Sequence, residues 1–183
     1  MKKLITLILL TFFGFGCSNT SEDSMNPFFT DYEAPYQIPP FEKIKEAHYL
    51  PAFTQGMKEQ LDEIDVITGN PESPTFENTI VELERTGKTL NKVADVFFNL
   101  LSSNTNDEMD AIAAEISPKL SAHSDAISLN KKLFNRVHEV FEQRNELGLN
   151  TEQNRLVEET HKGFIRSGVQ LDEPSMEILT QIN

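Results

Sequence analysis

Eight residues between positions 76 and 101 fall at alternating steps of four and three: Phe76, Ile80, Leu83, Gly87, Leu90, Ala94, Phe97 and Leu101. A chain can bury such a stripe as a helix laid lengthwise on a neighbour, because residues three and four apart share one helical face. The spacing predicts one long helix starting at Thr75, with Glu82, Arg85, Lys88 and Asp95 off the seam. A glycine inside a helix costs about 1 kcal/mol against alanine. Gly87 on the seam therefore predicts that a partner backbone comes close there. No strand alternation, repeat of fixed period or glycine-rich phosphate loop is present.

The flanking segments also have helical periodicity. Leu50, Phe53, Met57, Leu61 and Ile64 recur at threes and fours, with Pro51 tolerable in a first turn and Gly69 as a C-cap. Asn70-Pro-Glu-Ser-Pro74 is a turn signal. Thr105 and Glu108 have capping-box spacing ahead of Met109, Ile112, Ile116, Leu120 and Ile127. Pro118 is expected to kink or interrupt that helix. A further helix begins near Asn130 and breaks at Leu147-Gly148-Leu149. Thr151 is expected to cap the next, which carries Leu156, Val157 and Phe164 and ends at Ser167-Gly168. The last starts at Asp172 with Met176, Leu179 and Ile182, and lacks a C-cap. A helix so short is marginal alone, which predicts that the 183 residues are a truncated piece of a longer protein.

The expected fold class is all-α: antiparallel helices over 42–183, preceded by an extended arm over 26–41. The arm, "NPFFTDYEAPYQIPPF", carries Pro27, Pro35, Pro39 and Pro40, which exclude helix, and enough aromatics to lie against something.

The amino terminus has a different character. Met1-Lys2-Lys3 is followed by an almost unbroken apolar run from Leu4 to Phe13 and then Gly14-Phe15-Gly16-Cys17. A basic head, a short apolar segment and a small-residue site make a secretory signal peptide over 1–16. The run is too short to span a bilayer, which needs about 20 residues. Cys17, the sole cysteine, stands where a bacterial lipoprotein is cleaved and diacylated, although Gly14 and Phe15 replace the usual leucine and small residue. Lipidation at Cys17 is the expectation; an ordinary cleaved signal with an incidental cysteine is the alternative. Residues 17–25 then form a polar tether. Together these predict a cell-envelope protein, anchored to a membrane through lipid without spanning it.

The formal net charge is −13, and without Lys2 and Lys3 the chain has 14 basic against 29 acidic residues. No basic stripe offsets that charge. A phosphate backbone would be repelled, so nucleic acid is excluded as a partner.

The stretch "RVHEVFEQR" over 136–144 is one residue short of H-E-x-x-H, the zinc-protease signature. Glu142 stands where the second histidine would be. On a helical projection Leu133, Phe134, Val137, Val140 and Phe141 cluster, with His138 at the margin and Glu142 further round. The pair then reads as a modest surface contact at i, i+4. His48 precedes a helix start, and His123 and His161 sit alone among helical residues. No serine has a nucleophile-elbow context. The residues predict no catalytic position and no metal position in this chain.

Several stretches carry a family resemblance. "NPFFTDYEAPYQIPPFEKIKEAHYLPAF" (26–53), "NPESPTFENTIVELERTG" (70–87), "VFFNLLSSNTNDEM" (96–109), "SPKLSAHSDAISLNKKLFNRV" (117–137) and "GFIRSGVQL" (163–171) closely resemble the amino-terminal region of bacterial peptidyl-dipeptidases. These belong to the thimet oligopeptidase family of zinc metallopeptidases. The resemblance covers 26–183 and is sharpest at Pro74-Thr-Phe-Glu-Asn-Thr79 and Asn104-Thr-Asn-Asp-Glu108. It implies a longer, mostly helical enzyme whose two lobes flank a narrow channel for short peptides. Zinc would be the cofactor of that full-length parent, on an H-E-x-x-H helix with a downstream glutamate in the carboxy-terminal half. There the metal polarises the scissile carbonyl and activates water. None of those residues has a counterpart here. The resemblance gives this chain part of one lobe and its channel wall, with the catalytic region of the same polypeptide as partner, and implies that the chain alone is inactive. The alternative is a stand-alone helical lipoprotein that serves as a binding or scaffold module.

Overall fold

A computed structural model describes residues 25–182. Cys17, the signal segment and most of the tether lie outside the described residues. Among the described residues there is no strand, and the all-α expectation holds. No described helix is long and apolar enough to cross a membrane.

The arm differs from its expected extended form. It contains short 3-10 turns at Pro27–Phe29, Pro35–Gln37 and Phe41–Lys43, and Glu46–His48 follows. Pro27 and Pro35 open their turns, where the missing N–H is not needed. Asn26 ties the arm down: its Oδ1 accepts the N–H of Phe28 at 3.1 Å, and its Nδ2 donates to the His48 carbonyl at 2.8 Å. Phe28 is thereby buried, with its ring 5.6 Å from that of Tyr49.

α1 (Tyr49–Thr68) carries Pro51 in its first turn and closes at Gly69, whose N–H donates to the Asp65 carbonyl. Its buried face is Tyr49, Ala52, Phe53, Gly56, Ile64 and Ile67. Leu61, expected on the stripe, is 37% exposed. The face is rotated because α1 meets its main partner at Gly56, and Gln60 follows one turn on in the interior.

The long helix expected from Thr75 is broken. Thr75 caps a π-helical turn at Phe76–Val81, α2 is only Glu82–Arg85, and α3 resumes at Lys88–Ser103. Between them Gly87 takes φ +73°, a left-handed conformation that glycine adopts without penalty. The break has a purpose in the packing. Phe76 and Ile80 belong to one hydrophobic cluster, with Ile64, Leu133, Val137, Val140 and Val157. Leu90, Val93 and Phe97 belong to another, with Phe28, Phe53 and Ile116. A straight helix could not serve both. Close backbone approach does occur, at Gly56 against Leu90 instead of at Gly87.

α4 (Asp107–Ser128) is capped by Asn106, which accepts the Met109 N–H at 2.9 Å; the expected cap Thr105 donates instead to Asp110. Pro118 does not interrupt it. Pro118 and Ala114 are both exposed, so the carbonyl left without an N–H partner faces water. α5 (Lys131–Gln143) begins where expected, and Asn130 caps it by accepting the Leu133 N–H. Asn150 caps α6 (Thr151–Arg166), exchanging hydrogen bonds with Gln153, and the expected cap Thr151 lies one residue inside. At Gly168 (φ +91°) the chain turns, and Val169 is buried behind it. α7 (Glu173–Ile182) buries none of its residues; Ile178 is 60% exposed.

Candidate functional site

The residues that could carry chemistry lie in two polar contacts set into apolar packing. The first contains the near-miss motif. Leu133, Phe134, Val137 and Val140 are buried, so α5 has the face that its sequence predicts. His138 lies at the margin, but its partner is not Glu142. His138 Nδ1 is 3.0 Å from His161 Nε2 on α6. His161 is 7% exposed. It lies flat on Phe141, with ring centres 3.9 Å apart and 6° between planes, and Phe134 stands 5.5 Å away. Burial pushes the His161 imidazole below its ordinary range; His138 and Arg144 add to that, while Glu142 opposes it. His161 is therefore not isolated, as its sequence context suggests.

The geometry of the pair decides its chemistry. The two ring planes differ by 22° and the ring centres are 5.2 Å apart. That separation is close to the N···N distance plus the two ring radii. The rings thus meet edge to edge, with one N–H pointing at the other's lone pair. Two ligands of one metal ion would instead aim both lone pairs at a point about 2 Å from each nitrogen. Among the described residues, no group of three or more His, Cys, Asp or Glu side chains is placed to hold a metal ion. The zinc implied by the resemblance does not fit this contact, and no reaction step is placed here.

The second contact crosses from α1 to α4. His123 is 8% exposed and its Nε2 is 2.8 Å from Gln60 Oε1. The tautomer follows from the chain of bonds. Thr86 Oγ1 donates to the Leu83 carbonyl at 2.9 Å, so it accepts from Gln60 Nε2 at 3.2 Å. Gln60 then turns its oxygen to His123, and His123 must carry hydrogen on Nε2. His123 Nδ1 is buried without a partner, and burial lowers its affinity for a proton. Glu63 completes this layer by accepting the Gly87 N–H at 2.7 Å. Above it a cleft of about 440 Å³ opens between α4 and α6, lined by Leu90, Leu120, His123, Ile127 and Phe164. Its walls are mostly apolar. It has the character of a packing or binding surface.

Arg136 is a third buried polar group, 9% exposed. Its guanidinium donates to the carbonyls of Asn70 and Glu72 and to Asn78 Oδ1 at 3.0 to 3.2 Å. It holds the proline-rich turn to α5. His48 is also structural: its Nδ1 accepts the Lys45 N–H at the entry to α1. The partnerships of Gln60, His123, Arg136 and His161 escape a reading based on apolar spacing. Their positions hold a signal nonetheless: His161 stands between Val157 and Phe164, and His123 between Leu120 and Ile127, each on an apolar stripe.

The described residues form a helical framework whose buried polar groups are each held in apolar packing. No family model matches the chain. It is 41% identical over 160 residues to a dipeptidyl carboxypeptidase of Salmonella typhimurium, covering 87% of this chain and 24% of that protein. The dipeptidyl carboxypeptidase of Escherichia coli is 39% identical with the same coverage, and oligopeptidase A of Escherichia coli is 24% identical over 146 residues. These matches bear out the resemblance to the amino-terminal region of peptidyl-dipeptidases of the thimet oligopeptidase family. The chain spans about a quarter of the length of the curated relatives it matches.

Proposed function

We propose that this chain is the amino-terminal part of a zinc-dependent peptidyl-dipeptidase that releases dipeptides from the carboxyl termini of short peptides. The reading rests on the 41% identity over 160 residues to a dipeptidyl carboxypeptidase. In it, the helices over 42–183 form part of one lobe and its channel wall. Zinc and the groups that activate water belong to the remaining polypeptide of the same protein. Lipid on Cys17 and the polar tether hold the enzyme at the cell envelope, where it degrades imported or shed peptides. The apolar cleft and exposed Ile178 agree with a region that is completed by further chain.

The test compares two products: the 183-residue chain and the longest in-frame product of its gene. Each is incubated with a blocked tripeptide, with and without added zinc. The expected result is chelator-sensitive dipeptide release by the longer product and none by the chain alone. Chelator-sensitive turnover by the chain alone would refute the assignment of chemistry, and a longer product inactive on all short peptides would refute the peptidase itself. Radiolabelled palmitate incorporation, lost in Cys17→Ser, tests the anchor.

A further inference from the structure

His138 and His161 each bring one ring nitrogen to a single contact of 3.0 Å. Only one hydrogen fits between those two atoms. When both rings are neutral, one N–H donates to the other's lone pair. When the pair takes one proton, an imidazolium N–H donates to a neutral ring, and the bond survives in charge-assisted form. When it takes two, N–H faces N–H and two positive charges stand in contact. The second proton also leaves a cation on His161, which is 7% exposed and stacked flat on Phe141 with Phe134 5.5 Å away, so that little water reaches it.

We propose that this contact is a proton-counting latch between α5 and α6, closed while the pair holds at most one added proton and released when it holds two. Its pH response belongs to the pair and not to either ring alone. Charged groups ring the contact without pairing directly with it. From α5 comes Glu142, which favours the His161 cation, and just beyond the helix Arg144, which disfavours it. From α6, Glu158 faces Arg144 at 3.7 Å, Arg155 and Lys162 pair with Glu159 at the surface, and Arg166 lines the same cavity as His161. The π-helical turn packed on both helices offers one ionisable side chain, Glu77. α1 turns Ile64 and Ile67 into this cluster, and its Glu63 is bound to the Gly87 N–H. No carboxylate is hydrogen-bonded to either imidazole among the described residues, so the second charge has no direct counter-ion. Opening would expose Phe134 and Phe141 and loosen α6, giving the protein a response to acid. This inference does not depend on the peptidase reading.

The experiment follows both imidazoles by long-range nitrogen-15 NMR and the α6 amides by hydrogen exchange, in the full 183-residue chain from pH 7.5 to 4. Exchange is expressed relative to intrinsic rates at each pH. Protection of residues 151–166 is expected to fall from about pH 6.5, where the opened helices take up a proton that the closed pair refuses, at about tenfold per pH unit, and to level off once the closed pair binds its second proton. His138→Gln keeps a donor and an acceptor but cannot charge, and His138 is exposed, so the variant remains folded. There the loss of protection between pH 7 and 4 is expected to shrink about tenfold or more, the worth of one pKa unit of lost repulsion. His161→Gln is expected to remove the two-step behaviour altogether. The latch is refuted if native α6 protection stays flat between about pH 6.5 and 4, or if His138→Gln loses as much protection as the native chain.

Discussion

Gly56 of α1 and Leu90 of α3 are in backbone contact: a Cβ at position 56 would stand 2.7 Å from the Leu90 nitrogen and 2.8 Å from its Cα. The two helices can approach this closely because position 56 has no side chain. Gly163 in α6 is the opposite case, since a Cβ there meets nothing within 4 Å. Gly56→Ala is therefore expected to destabilise the chain by about 1–3 kcal/mol through overpacking. Gly163→Ala is expected to stabilise it by up to about 1 kcal/mol through helix propensity. Urea unfolding followed by circular dichroism measures both, and the opposite signs are the test.

Gly87 has two constraints at once. Its φ of +73° strains any side chain, and a Cβ would stand 2.6 Å from Gln60 Nε2. Asparagine relieves left-handed strain in general, but it cannot relieve this collision. Gly87→Asn is therefore expected to push the Gln60 amide off Thr86 and His123, to cost about 1–2 kcal/mol through those hydrogen bonds, and to disturb the His123 imidazole. Gly148 has φ +66° and open space around it, so Gly148→Asn is expected to change stability by under about 0.5 kcal/mol. Equal effects at the two glycines would show that Gln60 does not fill the position above residue 87.

Arg136 donates to three neutral oxygens, with a fork that spans the 70–78 turn. Lysine keeps the charge but offers a single point donor. Arg136→Lys is expected to cost about 2–3 kcal/mol, the range for hydrogen bonds to a charged group. Local hydrogen exchange should rise first in residues 70–79, whose start at Thr75 depends on the turn. A variant as stable as the native chain would mean that the Thr75–Asn78 capping box holds the turn unaided.

These buried polar groups also show where legibility in sequence stops. Helix positions were legible because apolar residues at threes and fours have one structural solution, and α5 kept even its predicted face. The break at Thr86–Gly87 was hidden because the four–three spacing continues across it. Phe76 and Phe97 look like one seam, yet they enter different clusters. The caps at 106 and 150 moved by one residue since asparagine competed with the neighbouring threonine for the same role. Gln60, His123 and His161 were invisible as partners because their contacts join residues 23 or 63 apart. Nothing in local spacing encodes such pairings.

Acid stability follows from the signs of the shifts. His161 and His123 are both lowered in the fold, chiefly by burial. The unfolded chain, with histidines near 6.5, therefore takes up protons first as pH falls. Their stabilisation is fully present above about pH 6.5 and declines as pH drops through the lower folded values. Glu46, Glu59, Glu159 and Asp172 are lowered too, by hydrogen bonds. Their contribution is present above the ordinary carboxylate range, near pH 4, and is lost below it. Urea midpoints measured from pH 8 to 3 are thus expected to show a plateau, a decline starting near pH 6.5, and a second decline below about pH 4. The double variant His123→Gln, His161→Gln should lose the first decline and keep the second. A first decline that survives in that variant would assign it to other groups.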